Sequence, residues 1–300
     1  METKKKYELT SEAIEFNGFT LHRIKALKNF LAVKKGDFGG WVEKEENLSQ
    51  MGNAWVYSNA KVYGNAKVFG DAQVYGNAQV YESAEVYGNA KVCGDAIVCG
   101  DAIVFGNAQV YGSAEVYGYA KVYDNAIAFG KAQVYDYASV FGFALVCGSA
   151  EIYGNARVLG NAEIYGNVHI FGHAAIFNNA KVCDNARVFG NAEVYDNVKI
   201  FGDAIVCGDA RVFGNAVIRG DAKVCNKTDY IIFKNFWSSG RFFTWTRSNN
   251  MWSAGCFYGT GEELIRKAYK DSAKSGKEYE KIVRYVDSIL ADDNNSQIVT

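Results

Sequence analysis

A six-residue period governs more than half of the chain. From Ala54 to Ala222 every sixth residue is Ala, except Val168 and Val198, and the second residue after each is Val or Ile, except Ala128. The pattern runs through 29 consecutive hexads without an insertion. A typical stretch reads Ala66-Lys67-Val68-Phe69-Gly70-Asp71, then Ala72-Gln73-Val74-Tyr75-Gly76-Asn77. A helix needs apolar residues recurring every 3.6 positions, whereas here a short alternating segment is cut every six residues, most often by Gly-Asn or Gly-Asp. Each hexad is therefore a short strand with its own corner, made by residues that tolerate positive φ. The chain contains no proline, so no corner depends on one. A six-residue side closes most naturally as a triangle. That gives 18 residues per coil, about ten coils, and a prism ~45–50 Å long at ~4.8 Å between strands. The predicted fold is mainly β, a parallel β-solenoid with Ala and Val inward and the intervening residues outward.

The hexad Ala-x-Val-x-x-Asn is similar to the signature of left-handed β-helix proteins, and that resemblance implies a left-handed coil. The solenoid entrance carries Gly39-Gly40-Trp41-Val42-Glu43, Asn47-Leu48-Ser49-Gln50, Gly52-Asn53 and Trp55-Val56-Tyr57. These resemble the entrance segment of the YdcK family, hexapeptide-repeat proteins described as transferases, and Leu21 to Gly36 resembles the leader that precedes it. The resemblance covers roughly residues 20–225 and leaves 226–300 without a counterpart. It implies an acyltransferase using acyl-coenzyme A, with a histidine base near a subunit boundary of a trimer.

A solenoid end exposes strand edges and core, so both ends need covers. Ala13–Phe16 and Phe19–Ile24 flank Asn17-Gly18, a type I′ hairpin signal, making residues 7–35 a small β cap. After Cys225 the hexads stop. Tyr230–Phe236, Arg241–Arg247 and Met251–Tyr258 read as three strands, and Thr260–Glu263 and Ser275–Glu278 as capping boxes of two helices, the second over Tyr279–Leu290. The expected domains are 1–50 (cap and entrance), 51–225 (solenoid) and 226–300 (α+β).

Three histidines are available for catalysis: His22 in the cap, His169 on a strand and His173 at a corner. Glu151 and Arg187, one coil either side of His169, supply it with a partner, but the uninterrupted hexads offer no wall for a pocket. Six cysteines (93, 99, 147, 183, 207, 225) share the hexad position filled elsewhere by Tyr or Phe, apart from Leu159 and Arg219, and only Cys207 and Cys225 are neighbours in adjacent coils. They read as small apolar substitutes in a reducing compartment, with no metal cluster.

Surface irregularities are the other place to look for function. Tyr119, Tyr137 and Phe143 replace the usual corner Asn or Asp, and Tyr119 and Tyr137 are 18 apart, hence stacked. Their neighbours form aromatic ladders, such as Tyr117-Tyr135-Tyr153-Phe171, whose exposure suggests burial against a second copy in a dimer or trimer. The segment 237–258 gathers Trp237, Arg241, Phe243, Trp245, Arg247, Trp252 and Tyr258. An aromatic core and an interface both account for it. Alternation sets Arg241, Phe243, Trp245 and Arg247 on one face, and two arginines argue for an exposed, partner-binding face. Residues 226–300 hold 11 Lys/Arg and 9 Asp/Glu, and the whole chain has a net charge of −1, so neither carries the basic footprint of nucleic-acid or anionic-membrane binding.

No run approaches the ~20 apolar residues of a membrane span, and Met1–Lys6 is not followed by a signal core, so a cytoplasmic location is the expectation. The expectation is a non-catalytic scaffold for a protein partner. Hexad chains of this style also resemble those carried by bacteriophages and mobile elements, which implies an inhibitor of a host system.

Overall fold

A computed structural model describes residues 5–297, the last five by backbone alone. Residues 1–4 and 298–300, at the outer ends of the expected terminal domains, lie outside the described residues. Each hexad forms one two-residue strand, from Trp55–Val56 to Lys223–Val224. Each strand pairs in parallel with the one 18 residues on, as Lys91 with Gln109 and Val92 with Val110. Three faces result. The first runs from Lys61–Val62 to Lys223–Val224, the second from Trp55–Val56 to Val217–Ile218 and the third from Lys67–Val68 to Arg211–Val212.

The Ala and Val rows fill the interior and have no more than 1% exposure. Where Val168 replaces an inward Ala, the corner before it opens: Gly166 has φ +92°, against +61° to +76° at the other hexad glycines. The corners also hold the coils together. At five corners an acidic residue with positive φ replaces glycine, and its carboxylate accepts the N–H of the glycine one coil on. Examples are Asp136 to Gly154 at 3.1 Å and Glu82 to Gly100 at 2.6 Å. Corner asparagines bond side chain to side chain along the prism, as in Asn89 to Asn107 and Asn107 to Asn125, both 3.0 Å.

The N-terminal hairpin pairs β1 (Tyr7–Phe16) with β2 (Phe19–Ala26) through the expected turn, Asn17 at φ 52° and Gly18 at φ 83°. Strand β3 (Phe38–Val42) is antiparallel to β2 and parallel to the first-face strand Lys61–Val62, so the cap continues that sheet and moves its edge out to β1. The entrance motif explains itself at this junction. A Cβ on Gly39 or Gly40 would lie 2.5 Å from the Val56 carbonyl or 2.6 Å from that of Ala60, so only glycine admits the close approach. Buried Asn47 donates to the Gly64 and Ala66 carbonyls, and the Gln50 side chain accepts the N–H groups of Lys6 and Tyr7. Trp55 is sealed beneath Tyr7 and Phe30.

At the other end a four-stranded antiparallel sheet (Tyr230–Lys234, Phe242–Thr246, Met251–Ala254, Phe257–Gly259) replaces the expected three strands, because Gly255 at φ +61° turns the chain within the third. One side of the sheet lies on the last coils. Thr244 Oγ1 accepts the Val217 N–H at 2.9 Å, Ser248 Oγ accepts that of Lys223 at 2.7 Å, and the Tyr230 hydroxyl donates to the Arg211 carbonyl at 2.9 Å. The other side carries helices α1 (Gly261–Asp271) and α2 (Ala273–Gln297). The Thr260–Glu263 capping box forms as expected. The second helix starts earlier than the expected Tyr279. The cap is Ser272, whose hydroxyl accepts the Ser275 N–H at 3.1 Å, and Ser275 lies inside the first turn. Among the described residues no helix is long and apolar enough to cross a membrane.

Candidate functional site

His169 lies on the first face with its Nδ1 3.5 Å from the Glu151 carboxylate, the partner expected from the 18-residue spacing. The pair sits on an open strand surface, with side chains 38% and 36% exposed. His173 is exposed at the next corner, and the His22 Nδ1 lies 3.2 Å from the Thr10 carbonyl. These histidines are on separate features and do not converge.

Cys93, Cys99, Cys147 and Cys183 are unpaired, and burial pushes the thiols of Cys99, Cys147 and Cys183 up, which makes them inert rather than nucleophilic. Cys207 and Cys225 depart from the reading of all six as free apolar substitutes. Coil stacking brings their Cα atoms to 4.3 Å, and the structure joins them as a disulfide. Among the described residues no group of His, Cys, Asp and Glu could hold a metal ion.

The aromatic ladders are tighter than exposure arguments suggested. Tyr117, Tyr135, Tyr153 and Phe171 stack at 4.8–4.9 Å, and arginines cover other rings, Arg157 over Phe141 and Arg187 over Phe189, so most ladder rings are half-buried. The corner aromatics differ. Tyr119, Tyr137 and Phe143 are 52%, 61% and 67% exposed, and the two tyrosines stack at 4.9 Å. Tyr119 and Tyr137 lie where the first face turns into the third, and Phe143 where the third turns into the second. All three therefore border the third face at the strands Lys121–Val122 and Ser139–Val140. Phe143 interrupts the Asn89-Asn107-Asn125 row, which resumes as Asn161 to Asn179 at 3.2 Å.

The C-terminal aromatics are placed differently from the sequence expectation. Phe243, Trp245 and Trp252 are at most 1% exposed and pack with Leu264, Ile265, Val283 and Val286, so they form a core and not an open binding face. The sheet is covered on both sides, by the solenoid and by the helices, and Phe243 and Trp245 face the helices. The arginines reconcile with this because they lie outside the strand Phe242–Thr246. Arg241 precedes it and is exposed, while Arg247 follows it, donates from Nε to the Thr228 carbonyl at 3.2 Å and lies over the Trp245 ring. Beside Arg241, a cavity of about 410 Å³ opens between the turns at 238–241 and 254–257 and the two helices. Of its lining, the sequence reading gave a binding role to Arg241 alone. The remainder comes from helix faces and turns whose convergence no local pattern reveals.

The fold thus defines a parallel β-solenoid of about ten coils, closed by a β cap at one end and a sheet with two helices at the other. Within it, residues 72–88 match the family model of the YdcK β-solenoid repeat. No curated protein matches the chain.

Proposed function

We propose that this protein is a non-catalytic scaffold whose third face, bordered by Tyr119, Tyr137 and Phe143, binds a protein partner. The observation that carries this reading is the convergence of three exposed aromatics on one face, at corners where asparagine elsewhere contributes a hydrogen-bond ladder. They give up those bonds and expose apolar rings, a poor exchange for stability alone. Tyrosine and phenylalanine are enriched in interface cores. The strands they border present Lys121 and Ser139, followed one and two coils on by Arg157 and Ala175, a row of four strand positions without a carboxylate. An inhibitor of a host system, suggested by the style of the repeat, is one form of the same reading. Self-association as a dimer or trimer would draw on the same exposed rings.

The test is capture from a cell lysate by the native chain and by the triple substitution Tyr119→Asn, Tyr137→Asn, Phe143→Asn, which restores the corner asparagines. The variant should melt within a degree or two of the native chain and lose the captured protein. Equal capture by both chains refutes the assignment of this face. Transfer of the acetyl group from acetyl-coenzyme A to an acceptor, abolished by His169→Ala or His173→Ala, would instead establish the acyltransferase implied by the family resemblance.

A further inference from the structure

The cavity beside Arg241 has the chemistry of an anion site and lies apart from the third face. Its cationic groups are Arg241 and Lys267. Neither forms an ion pair among the described residues. The Arg241 guanidinium reaches across to Gly255, where a Cβ would stand 3.5 Å from it, and the Lys267 ammonium lies 5.6 Å from the centre of the Phe257 ring. The N-terminus of α2, capped by Ser272, contributes the positive end of a long helix. A second observation points independently to a ligand. Ser275 is only 8% exposed and lines the cavity, yet its hydroxyl has no hydrogen-bond partner among the described residues. The hydroxyl oxygen is not itself sealed from solvent, so it is free to donate to an acceptor bound in the cavity.

We infer that this cavity binds a small organic phosphate carrying neighbouring hydroxyls, a sugar phosphate or a nucleotide. Two cations, a serine hydroxyl and a helix N-terminus match the several oxygens of a phosphate dianion better than the two of a carboxylate. The volume exceeds the needs of a free phosphate ion and lies within the range of small-molecule sites. Asp271, on the same wall, also lacks an ion pair among the described residues; it would repel a second anionic group but accept a hydroxyl. Phe242, 38% exposed and in the lining, offers a ring face on which a base could stack.

Calorimetric titration of the full chain with ribose 5-phosphate, AMP, adenosine and inorganic phosphate tests the inference. Both phosphate esters should bind, adenosine should not, and inorganic phosphate should bind more weakly than either ester. Arg241→Gln and Lys267→Gln should each weaken ester binding by about tenfold or more, with Ser275→Ala a smaller loss. Lys270→Gln, outside the cavity, should leave binding unchanged. Arg241 is exposed, so its substitution should not disturb the fold, and circular dichroism verifies that for each variant. Tighter binding of AMP than of ribose 5-phosphate, lost in Phe242→Ala, assigns the base to that ring. Absence of binding by both esters at millimolar concentration, or undiminished binding by the Arg241→Gln/Lys267→Gln double variant, overturns the inference.

Discussion

Replacing Trp245 by alanine should unfold the C-terminal domain while leaving the prism intact. The indole is fully buried between the sheet and the helices, and its Nε1 donates to Asn250 Oδ1 at 2.7 Å. Truncating a buried tryptophan to alanine costs about 3–5 kcal/mol through lost burial and the cavity left behind. Loss of the Asn250 contact adds about 1 kcal/mol. The cluster it anchors is small, with seven buried apolar members among which Phe243, Trp245 and Trp252 are the largest. Such a loss approaches the ~5 kcal/mol at the lower end of domain stabilities. The solenoid should respond only near the contact, because each coil is supported by its neighbours and not by distant ones. Hydrogen exchange followed by mass spectrometry separates the two parts. Amides of 261–292 should lose protection in the variant, those of coils between 54 and 200 should keep it, and the strands around Val217, whose N–H bonds Thr244, should show an intermediate loss. Unchanged protection of both helices would refute the placement of Trp245 at the centre of this core.

Three further expectations can be checked with simple measurements. Ala108→Leu, inside the prism, should cost about 1–3 kcal/mol by overpacking, while Gln109→Leu on the outside should change stability by no more than about 0.5 kcal/mol; equal melting shifts would contradict the inward and outward assignment. Lys6 is buried with its Nζ donating to the Ala54 carbonyl at 2.8 Å, and burial first, then Lys28, pulls its pKa from 10.5 down to about 8. Between those values the unfolded chain holds a proton that the folded chain has released, so stability should rise with pH from about 8 toward 10. Above 10 it should fall, because burial raises the Tyr7 phenol and only the unfolded state ionises there. Thermal melts across this range should show the rise in the native chain and not in Lys6→Met. Sedimentation at micromolar concentration should detect a dimer or trimer, and a strictly monomeric boundary counts against self-association through the corner aromatics.

Much of the architecture is legible because the repeat uses a different residue type for each structural task. Inward Ala, outward Lys or Gln and corner Gly-Asn fix strand, face and turn together, and the 18-residue spacing places Glu151 beside His169 and Cys207 beside Cys225. The hairpin at Asn17-Gly18 and the cap at Thr260 are local events settled by a few side chains. What the sequence hides is which side of a strand meets another element. Alternation correctly groups Phe243 with Trp245, but it cannot say that a sheet will be sandwiched between a coil end and two helices. Nor can it say that Arg241 and Arg247 lie just beyond the strand ends, where their charge places no demand on the core. The cavity lining is hidden for the same reason. Ser275 reads as a helix cap from its spacing to Glu278, and only the abrupt reversal at Ser272 moves it one turn inward and leaves its hydroxyl over the cavity.

Because three hexads complete a circuit, the length of the prism and the angular relation between its two ends can be adjusted separately. Deleting 18 residues, for example 90–107, joins equivalent hexads and withdraws the C-terminal domain along the axis by one strand spacing of ~4.8 Å, with the same side still facing the N-terminal hairpin's side. Deleting six residues shortens the axis by only a third of that and swings the C-terminal domain through a third of a turn. Near-identical hexads invite unequal recombination, so a chain of this kind can vary by single hexads into three angular classes, and any partner that touches both ends at once would accept only one of them.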